Sequence, residues 1–138
     1  MFDQTTEALE WQKLLELLAG HTRSSRGAAL ARVGTLSANL TGACRLQQLT
    51  TEMAMIQNGS DPMPVLAFPD VEESVRRAGK GAVLETHELR DHAVVISLWD
   101  DVYRFLGRHT QDAPTLVEAA SALADGHELR GLRTALAA

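Results

Sequence analysis

The sequence predicts an all-α fold of six or seven helices, with a long central helix and no sheet. Three observations support this prediction. Apolar residues recur at helical spacing along most of the chain. No run alternates apolar and polar residues with β-branched enrichment, as a half-buried strand would. The hydrophobic fraction of 45% and the charged fraction of 22% are typical of a globular protein, and 138 residues suit one domain, so we expect residues 1–138 to form a single helical domain.

The first predicted helix carries one apolar stripe on an otherwise polar surface. The stripe consists of Trp11, Leu14, Leu15 and Leu18. Their i, i+3, i+4, i+7 spacing places them on one helical face. The hydroxyl of Thr5 or Thr6 can cap this helix, and we expect Gly20 to end it.

Two further helices follow before the middle of the chain. The second begins at Ser24 or Ser25 and weakens at Gly34. The third ends in the Asn-Gly-Ser turn sequence at 58–60. Its apolar positions are Leu46, Leu49, Met53 and Ile56.

A proline-rich segment separates these helices from the second half. Three prolines within 60–69 prevent a regular helix there, and we expect Leu66 and Phe68 to anchor an ordered loop. Asp70 is a suitable N-cap for a short helix, which the glycines at 79–81 end. The apolar stripe of this helix is Val71, Val75 and Ala78.

The longest predicted helix runs from about residue 85 to about residue 107. One apolar seam at alternating three and four spacing consists of Leu89, His92, Ile96, Trp99, Tyr103 and Leu106. A second flank consists of Val95, Leu98, Val102 and Phe105. A helix that is apolar on two flanks is covered on two sides, so we expect this helix to be central. We expect Trp99 to be buried in the seam and Trp11 to be less buried.

Helical patterns continue to the end of the chain. Pro114 can open a helix, and the Asp-Gly sequence at 125–126 closes it. Its inward positions are Leu116, Ala119, Ala120 and Leu123. The segment 129–136 has helical residues but no following element to pack against.

Two histidines on the longest helix are the sharpest candidates for metal chemistry. His87 and Glu88 begin like a zinc-binding His-Glu-x-x-His motif, but Asp91 stands at the fifth position. The second histidine, His92, comes one residue late and is therefore rotated about 100° further round the helix. We predict no metal site and interpret His92 as a hydrogen-bonded core histidine.

Other catalytic motifs are also incomplete. The Gly-Lys pair at 79–80 lacks the earlier glycine and the following hydroxyl of a phosphate-binding loop, because Ser74 and Gly81 occupy those places. The single cysteine, Cys44, lies among apolar residues and is expected to be a small buried hydrophobe. We therefore assign no catalytic and no cofactor-binding residue.

The charges are unevenly placed along the chain. The net charge of −5 argues against extensive nucleic-acid binding and favours no detectable binding by the isolated chain. Between Glu16 and Glu52, however, there is no acidic residue. Any nucleic-acid contact is predicted to use the arginines of this segment, and a solvated face is the simpler interpretation. These residues are Arg23, Arg26, Arg32 and Arg45.

Several short segments occur in the order found in a known family. They are residues 6–15 (TEALEWQKLL), 24–27 (SSRG), 69–71 (PDV), 77–84 (RAGKGAVL) and 88–89 (EL). In this order they resemble the N-terminal helical region of the second bacterial MutS paralogue, the MutS-like ATPases with a C-terminal Smr nuclease domain. The resemblance covers about residues 6–106. Two positions depart conservatively: Trp11 replaces the usual phenylalanine and Val71 replaces isoleucine.

The resemblance implies an N-terminal fragment of a longer protein. Because no run of 18 apolar residues occurs and the N-terminus lacks the basic flank of a signal peptide, we expect a cytoplasmic location. The parent protein would be a homodimeric ATPase that uses ATP and Mg²⁺, carries a C-terminal nuclease domain, and acts on branched DNA or ribosomal RNA in recombination suppression or ribosome quality control. The present chain would be a non-catalytic helical core that couples the ATPase to nucleic-acid-binding arms. It would contact the remaining domains of the same chain and no membrane.

Two alternatives belong to other functional classes. A free-standing helical interaction module would expose a contiguous apolar groove for a partner helix. A small helical enzyme would bring a metal or a pocket to His87 and Asp91.

Overall fold

The structure is a computed structural model that describes residues 6–121 and 127–136. Within these ranges a helical turn at 6–8 precedes seven α-helices, and no strand occurs. The helices are α1 Trp11–Gly20, α2 Ser25–Arg32, α3 Leu40–Gln57, α4 Glu72–Ala78, α5 Thr86–Arg108, α6 Pro114–Ala119 and α7 His127–Leu136. The all-α prediction is confirmed, and α5 is the longest helix at 23 residues. None of the helices in the described ranges has the length and hydropathy needed to cross a membrane.

Contacts divide the chain into two units. Unit 1 lies within Met1–Leu36 and Leu66–Asp70, and unit 2 lies within Ser37–Val65 and Val71–Ala138. The segment 61–71 has no regular secondary structure, as its prolines predict. That residues 1–138 form one domain stays a prediction.

In unit 1, α1 packs against α2 through a narrower stripe than the sequence predicts. Leu15 and Ala19 are buried, and the half-buried Trp11 donates from Nε1 to the Gly34 carbonyl oxygen at 3.0 Å. Leu14 and Leu18 are 51% and 53% exposed, so their predicted inward placement is wrong. The buried stripe repeats every four residues because one neighbouring helix covers only part of a helical face.

The start of α1 also differs from the prediction. Glu10 has a left-handed backbone, with φ of 49°, which separates the helical turn at 6–8 from α1. Glu10 is therefore the N-cap residue of α1. Thr6 lies inside the preceding turn, and Thr5 lies outside the described residues.

In unit 2, the core forms where the C-terminal half of α5 meets α3 and the segment before α6. The core cluster of buried residues consists of Ile56, Phe105, Leu106 and Ala113. Helix α5 packs against α6 and α7, and α3 packs against α6. The long helix thus supplies much of the core, and the final helix α7 packs back against it. Helix α6 begins at Pro114 as predicted but ends at Ala119, and residues 123, 125 and 126 lie outside the described residues.

The aromatic residues of α5 are buried differently from the prediction. Trp99 is only half-buried, and its ring stacks on Tyr103 with centroids 6.0 Å apart. Phe105, from the second flank, is 1% exposed. Ile96 and Leu106 of the seam are buried as well, so α5 buries residues from both its seam and its second flank. The prediction that Trp99 is a core residue is wrong.

The boundaries of α4 follow from local hydrogen bonds. Its N-cap is Val71 and not Asp70 as predicted. At its C-terminus the Ala82 N–H donates to the Arg77 carbonyl oxygen, and the Gly81 N–H donates to the Ala78 carbonyl oxygen. This is a Schellman arrangement, and Gly81 takes the left-handed position with φ of 84°. The glycine end predicted for this helix therefore depends on Gly81.

Candidate nucleic-acid interface

The N-terminus of α2 carries two of the predicted arginines. The Ser24 side chain accepts from the Gly27 N–H at 3.1 Å and caps the helix, as its sequence position predicts. Arg26 is exposed in the first turn and Arg23 is exposed just before the cap. No acidic residue occupies this first turn. Cations at the positive end of a helix dipole are unfavourable, so an anion would be stabilised here.

Arg32, the third predicted arginine, lies at the opposite end of α2. Its Nε donates to both carboxylate oxygens of Glu16 on α1, at 3.1 and 3.2 Å. Both side chains are more than half exposed, so this ion pair contributes about 1 kcal/mol or less to stability. The acid that is missing from the local sequence is therefore supplied by the neighbouring helix.

Arg45, the fourth predicted arginine, lies on α3 in unit 2. Its Nη1 donates to Glu118 Oε2 on α6 at 3.0 Å. The other three arginines belong to unit 1. Arg32 and Arg45 thus each face a carboxylate, and the nucleic-acid interface stays a prediction.

A buried carboxylate on α3 has a structural role that the sequence does not indicate. Glu52 is 4% exposed, and its oxygens accept from the Thr115 and Leu116 N–H groups at 3.3 and 2.8 Å. These are free N–H groups of the first turn of α6, whose leading Pro114 has none. Gln48 donates to the same carboxylate at 3.1 Å. Glu52 therefore caps a helix that is distant in sequence.

Hydrogen bonding sets the ionisation of this carboxyl. Burial by itself would raise the pKa of Glu52, but hydrogen bonds from Thr115, Leu116 and Gln48 outweigh it and hold the pKa below its ordinary value. The charged form is therefore the one that the fold stabilises.

Asp100 is a second buried carboxylate and lies on α5. It is 4% exposed and accepts from Arg104 on its own helix and from Arg133 Nη1 on α7, the latter at 2.8 Å. Burial by itself would raise the pKa of Asp100, but the two guanidinium groups lower it below its ordinary value. The ion pair helps to hold α7 against α5.

Two further carboxylates join segments within unit 2. Asp61 accepts from Arg108 Nη2 at 2.9 Å and lies 3.2 Å from His109 Nε2, and the Arg108 hydrogen bond is the main cause of its lowered pKa. Glu88 accepts from the Glu85 N–H at 3.0 Å, which with the Arg77 ion pair lowers the pKa of Glu88. These contacts are structural and converge on no common site.

The predicted chemical residues are dispersed. The Ser74 hydroxyl donates to the Val71 carbonyl at 2.9 Å, so its oxygen accepts from His92 Nε2, also at 2.9 Å. This contact agrees with the interpretation of His92 as a hydrogen-bonded histidine and leaves Ser74 without a base. His87 is exposed and lies 3.3 Å from a Glu85 oxygen. Cys44 is exposed, so its predicted burial is wrong, because α3 turns that face to solvent.

Metal ligands do not cluster in the part of the chain that the structure describes. No group of three or more histidine, cysteine, aspartate or glutamate side chains there could hold one ion.

Comparisons with known proteins find similar regions in several proteins named Endonuclease MutS2. The chain is 37% identical over 108 residues to Endonuclease MutS2 from Exiguobacterium sibiricum, which covers 78% of the chain and 14% of that protein. It is 28% identical over 129 residues to Endonuclease MutS2 from Pelotomaculum thermopropionicum, and this match covers 94% of the chain and 16% of that protein. It is 30% identical over 89 residues to Endonuclease MutS2 from Bacillus mycoides, and this match covers 64% of the chain and 11% of that protein. No family model and no solved structure matches the chain.

Proposed function

Since the chain is a MutS2-like region, we propose that it is the non-catalytic helical core domain of a MutS-like, DNA-binding ATPase. The observation that carries this proposal is the similarity over most of the chain to proteins of which it spans only 11–16%. The proposed role is to couple the ATPase of the parent protein to its nucleic-acid-binding arms. Recombination suppression or ribosome quality control would be the process that the parent serves.

The contacts of α5 support a mechanical role. This helix is 23 residues long, and its C-terminal half is fixed in the core by Phe105 and Leu106. The buried Asp100 ties its middle to α7 through Arg133. A packed helix of this length can carry a displacement between its ends, as a lever requires.

The catalytic steps are assigned to the parent protein. ATP and Mg²⁺, the nuclease reaction, homodimerisation and a cytoplasmic location belong to the parent in this proposal. The present chain contributes no catalytic, cofactor-binding or metal-binding residue.

We therefore expect the isolated chain neither to bind ATP with useful affinity nor to hydrolyse it. Lys80 lies in the turn that closes α4, and Gly81 stands where a phosphate-binding loop needs a hydroxyl. Phosphate release and nucleotide binding should remain at background with the wild-type chain and with Lys80→Ala. Turnover that disappears in the Lys80→Ala variant would contradict this assignment.

We expect any nucleic-acid binding by the chain to be weak, independent of sequence and steeply dependent on salt. Its predicted targets are branched DNA or ribosomal RNA, and its predicted contacts are Arg23, Arg26, Arg32 and Arg45. Phosphate contacts position a protein without reading bases. Because four phosphate contacts release about four counterions, a plot of log affinity against log salt concentration should have a slope no steeper than about −4. Fluorescence anisotropy with a branched DNA and a structured RNA at two salt concentrations measures both quantities.

Two sets of variants test this surface. Glutamine at all four arginines should abolish binding, whereas Glu16→Gln with Glu118→Gln should strengthen it by releasing Arg32 and Arg45 from their partners. The matched comparison uses two double variants: Arg23→Gln with Arg26→Gln lies in the predicted interface, and Arg76→Gln with Arg90→Gln lies outside it. Each double variant lowers the net charge of the chain by two. Binding that survives the fourfold replacement would place the interface elsewhere.

The alternative function, a helical interaction module, is favoured by one observation. Unit 1 exposes large apolar side chains on both of its helices and at the residue that follows α2. They are Leu14, Leu17, Leu18, Leu30 and Val33. Monomeric proteins rarely expose contiguous apolar patches of more than a few hundred Å². Reading the coding sequence beyond Ala138 discriminates the two functions, because the proposed core domain requires a phosphate-binding loop downstream.

A further inference from the structure

Unit 1 contains a cleft that none of the functions above uses. Its volume is about 440 Å³, which lies within the range of small-ligand pockets. The walls come from the helical turn at 6–8, the start of α1 and the segment after α2. The lining residues are Thr6, Glu7, Trp11, Gln12, Gly34, Thr35 and Leu36. An indole, a carboxylate, an amide and a hydroxyl therefore share one concave surface.

The main walls of the cleft are fixed before any ligand arrives. The Trp11 indole is held by its 3.0 Å hydrogen bond to the Gly34 carbonyl. The wall at Gly34 is tightly packed, because a Cβ there would lie 3.0 Å from Leu15 Cδ2 and 3.1 Å from the Ala31 carbonyl oxygen. A preformed aromatic wall lowers the entropy that a ligand must lose on binding.

Backbone strain lies at the edge of the same cleft. Glu10 is the one non-glycine residue with positive φ among the residues that the structure describes. It lies between the turn that carries Glu7 and the helix that carries Trp11, and its N–H donates to the Glu7 carbonyl at 3.0 Å. Such strain persists where the surrounding structure determines it, and it concentrates at binding sites. Here the left-handed backbone of Glu10 sets the direction of the turn that carries Glu7 relative to the helix that carries Trp11.

From this geometry we infer that the cleft binds a guanidinium group, presented by an arginine side chain of a partner polypeptide. The Glu7 carboxylate supplies a bidentate acceptor for a guanidinium. The Trp11 indole lines the same cleft, and a planar cation can stack on an indole ring. The Gln12 side-chain oxygen and the Thr35 hydroxyl can accept its remaining N–H groups.

The same lining argues against other ligands. A phosphate would meet the negative charge of Glu7 with no cationic side chain among the lining residues that the structure describes, so the cleft is distinct from the arginine surface. A purely aliphatic ligand would leave the Glu7 carboxylate without a partner on desolvation. A lysine ammonium fits less well than a guanidinium because it is compact and does not stack as a plane.

NMR titration of the ¹⁵N-labelled chain with N-acetyl-arginine amide tests this inference. The chain has two tryptophans, so a Trp99→Phe variant identifies the Trp11 indole N–H resonance. We expect saturable shifts of this resonance and of Glu7, Gln12 and Thr35, with a Kd on the order of 0.1–1 mM for so small a probe. The citrulline analogue, which has the same shape without the charge, should bind at least about tenfold more weakly.

Two variants distinguish arginine binding in the cleft from a general effect of the negative charge of the chain. Glu7→Gln should weaken arginine binding by about tenfold, whereas Glu16→Gln, which removes the same charge outside the cleft, should leave it unchanged. Equal binding of the citrulline analogue would overturn the inference. So would the absence of saturable shifts at the Trp11 indole, or equal weakening by Glu7→Gln and Glu16→Gln.

Discussion

Replacing Phe105 with alanine is expected to lower the free energy of unfolding by about 3–5 kcal/mol, as is usual for a fully buried aromatic residue. Phe105 is 1% exposed and lies in the core cluster of unit 2. Its ring also lies 4.7 Å from the His109 ring, and the Arg108 guanidinium lies 5.3 Å from its centroid. Alanine removes these contacts and leaves a cavity between α5 and its neighbours. Urea denaturation followed by circular dichroism measures the change.

Graded variants keep this prediction informative if the alanine variant does not fold. Phe105→Leu should cost about 1–2 kcal/mol, and Leu89→Ala, at an exposed position on the same helix, about 1 kcal/mol or less. Trp99→Ala should cost less than Phe105→Ala, because Trp99 is only half-buried. A larger loss for Trp99 than for Phe105 would show that the core lies on the seam that the sequence predicts.

Glu52→Ala is expected to lower the melting temperature by at least about 5 °C. The substitution leaves the N–H groups of Thr115 and Leu116 without their acceptor, and Gln48 loses its partner as well. Buried donors without an acceptor are among the costly consequences of a point mutation. Differential scanning calorimetry provides the measurement. Leu46→Ala, at an exposed position on the same helix, is the control and should change the melting temperature by less.

The same carboxylate predicts how stability depends on pH. The pKa of Glu52 in the folded chain lies below its ordinary value of 4.5, so the unfolded chain binds more protons as the pH falls. Its stabilising contribution is complete above pH 4.5 and is lost as the pH falls through the folded pKa. Glu52→Gln should therefore reduce the slope of stability against pH below about pH 4.5. Asp61, Glu88 and Asp100, whose pKa values are also lowered, should keep part of that slope. An unchanged slope would contradict the assigned role.

Features that depend only on neighbouring residues can be predicted from the sequence. The Ser24 cap, the Pro114 start and the extent of α5 agree with the structure. The reason is that caps, proline geometry and helical periodicity act within one or two turns of the chain. The short segments that resemble the MutS-like family are also local, and the relatives that the comparisons find agree with that resemblance.

The buried faces of the helices and the pairing of charges could not be predicted in this way. Burial depends on where a neighbouring helix lies, so Ala19 replaces Leu18 inside unit 1 and Phe105 replaces Trp99 in the core of unit 2. The arginine segment is free of acids along the chain, yet Arg32 meets Glu16 across two helices. Glu52 caps a helix more than 60 residues away, at a separation |i−j| of 63 to Thr115. Such contacts join residues that no local pattern relates, because a side chain's partner is set by the packing of whole helices.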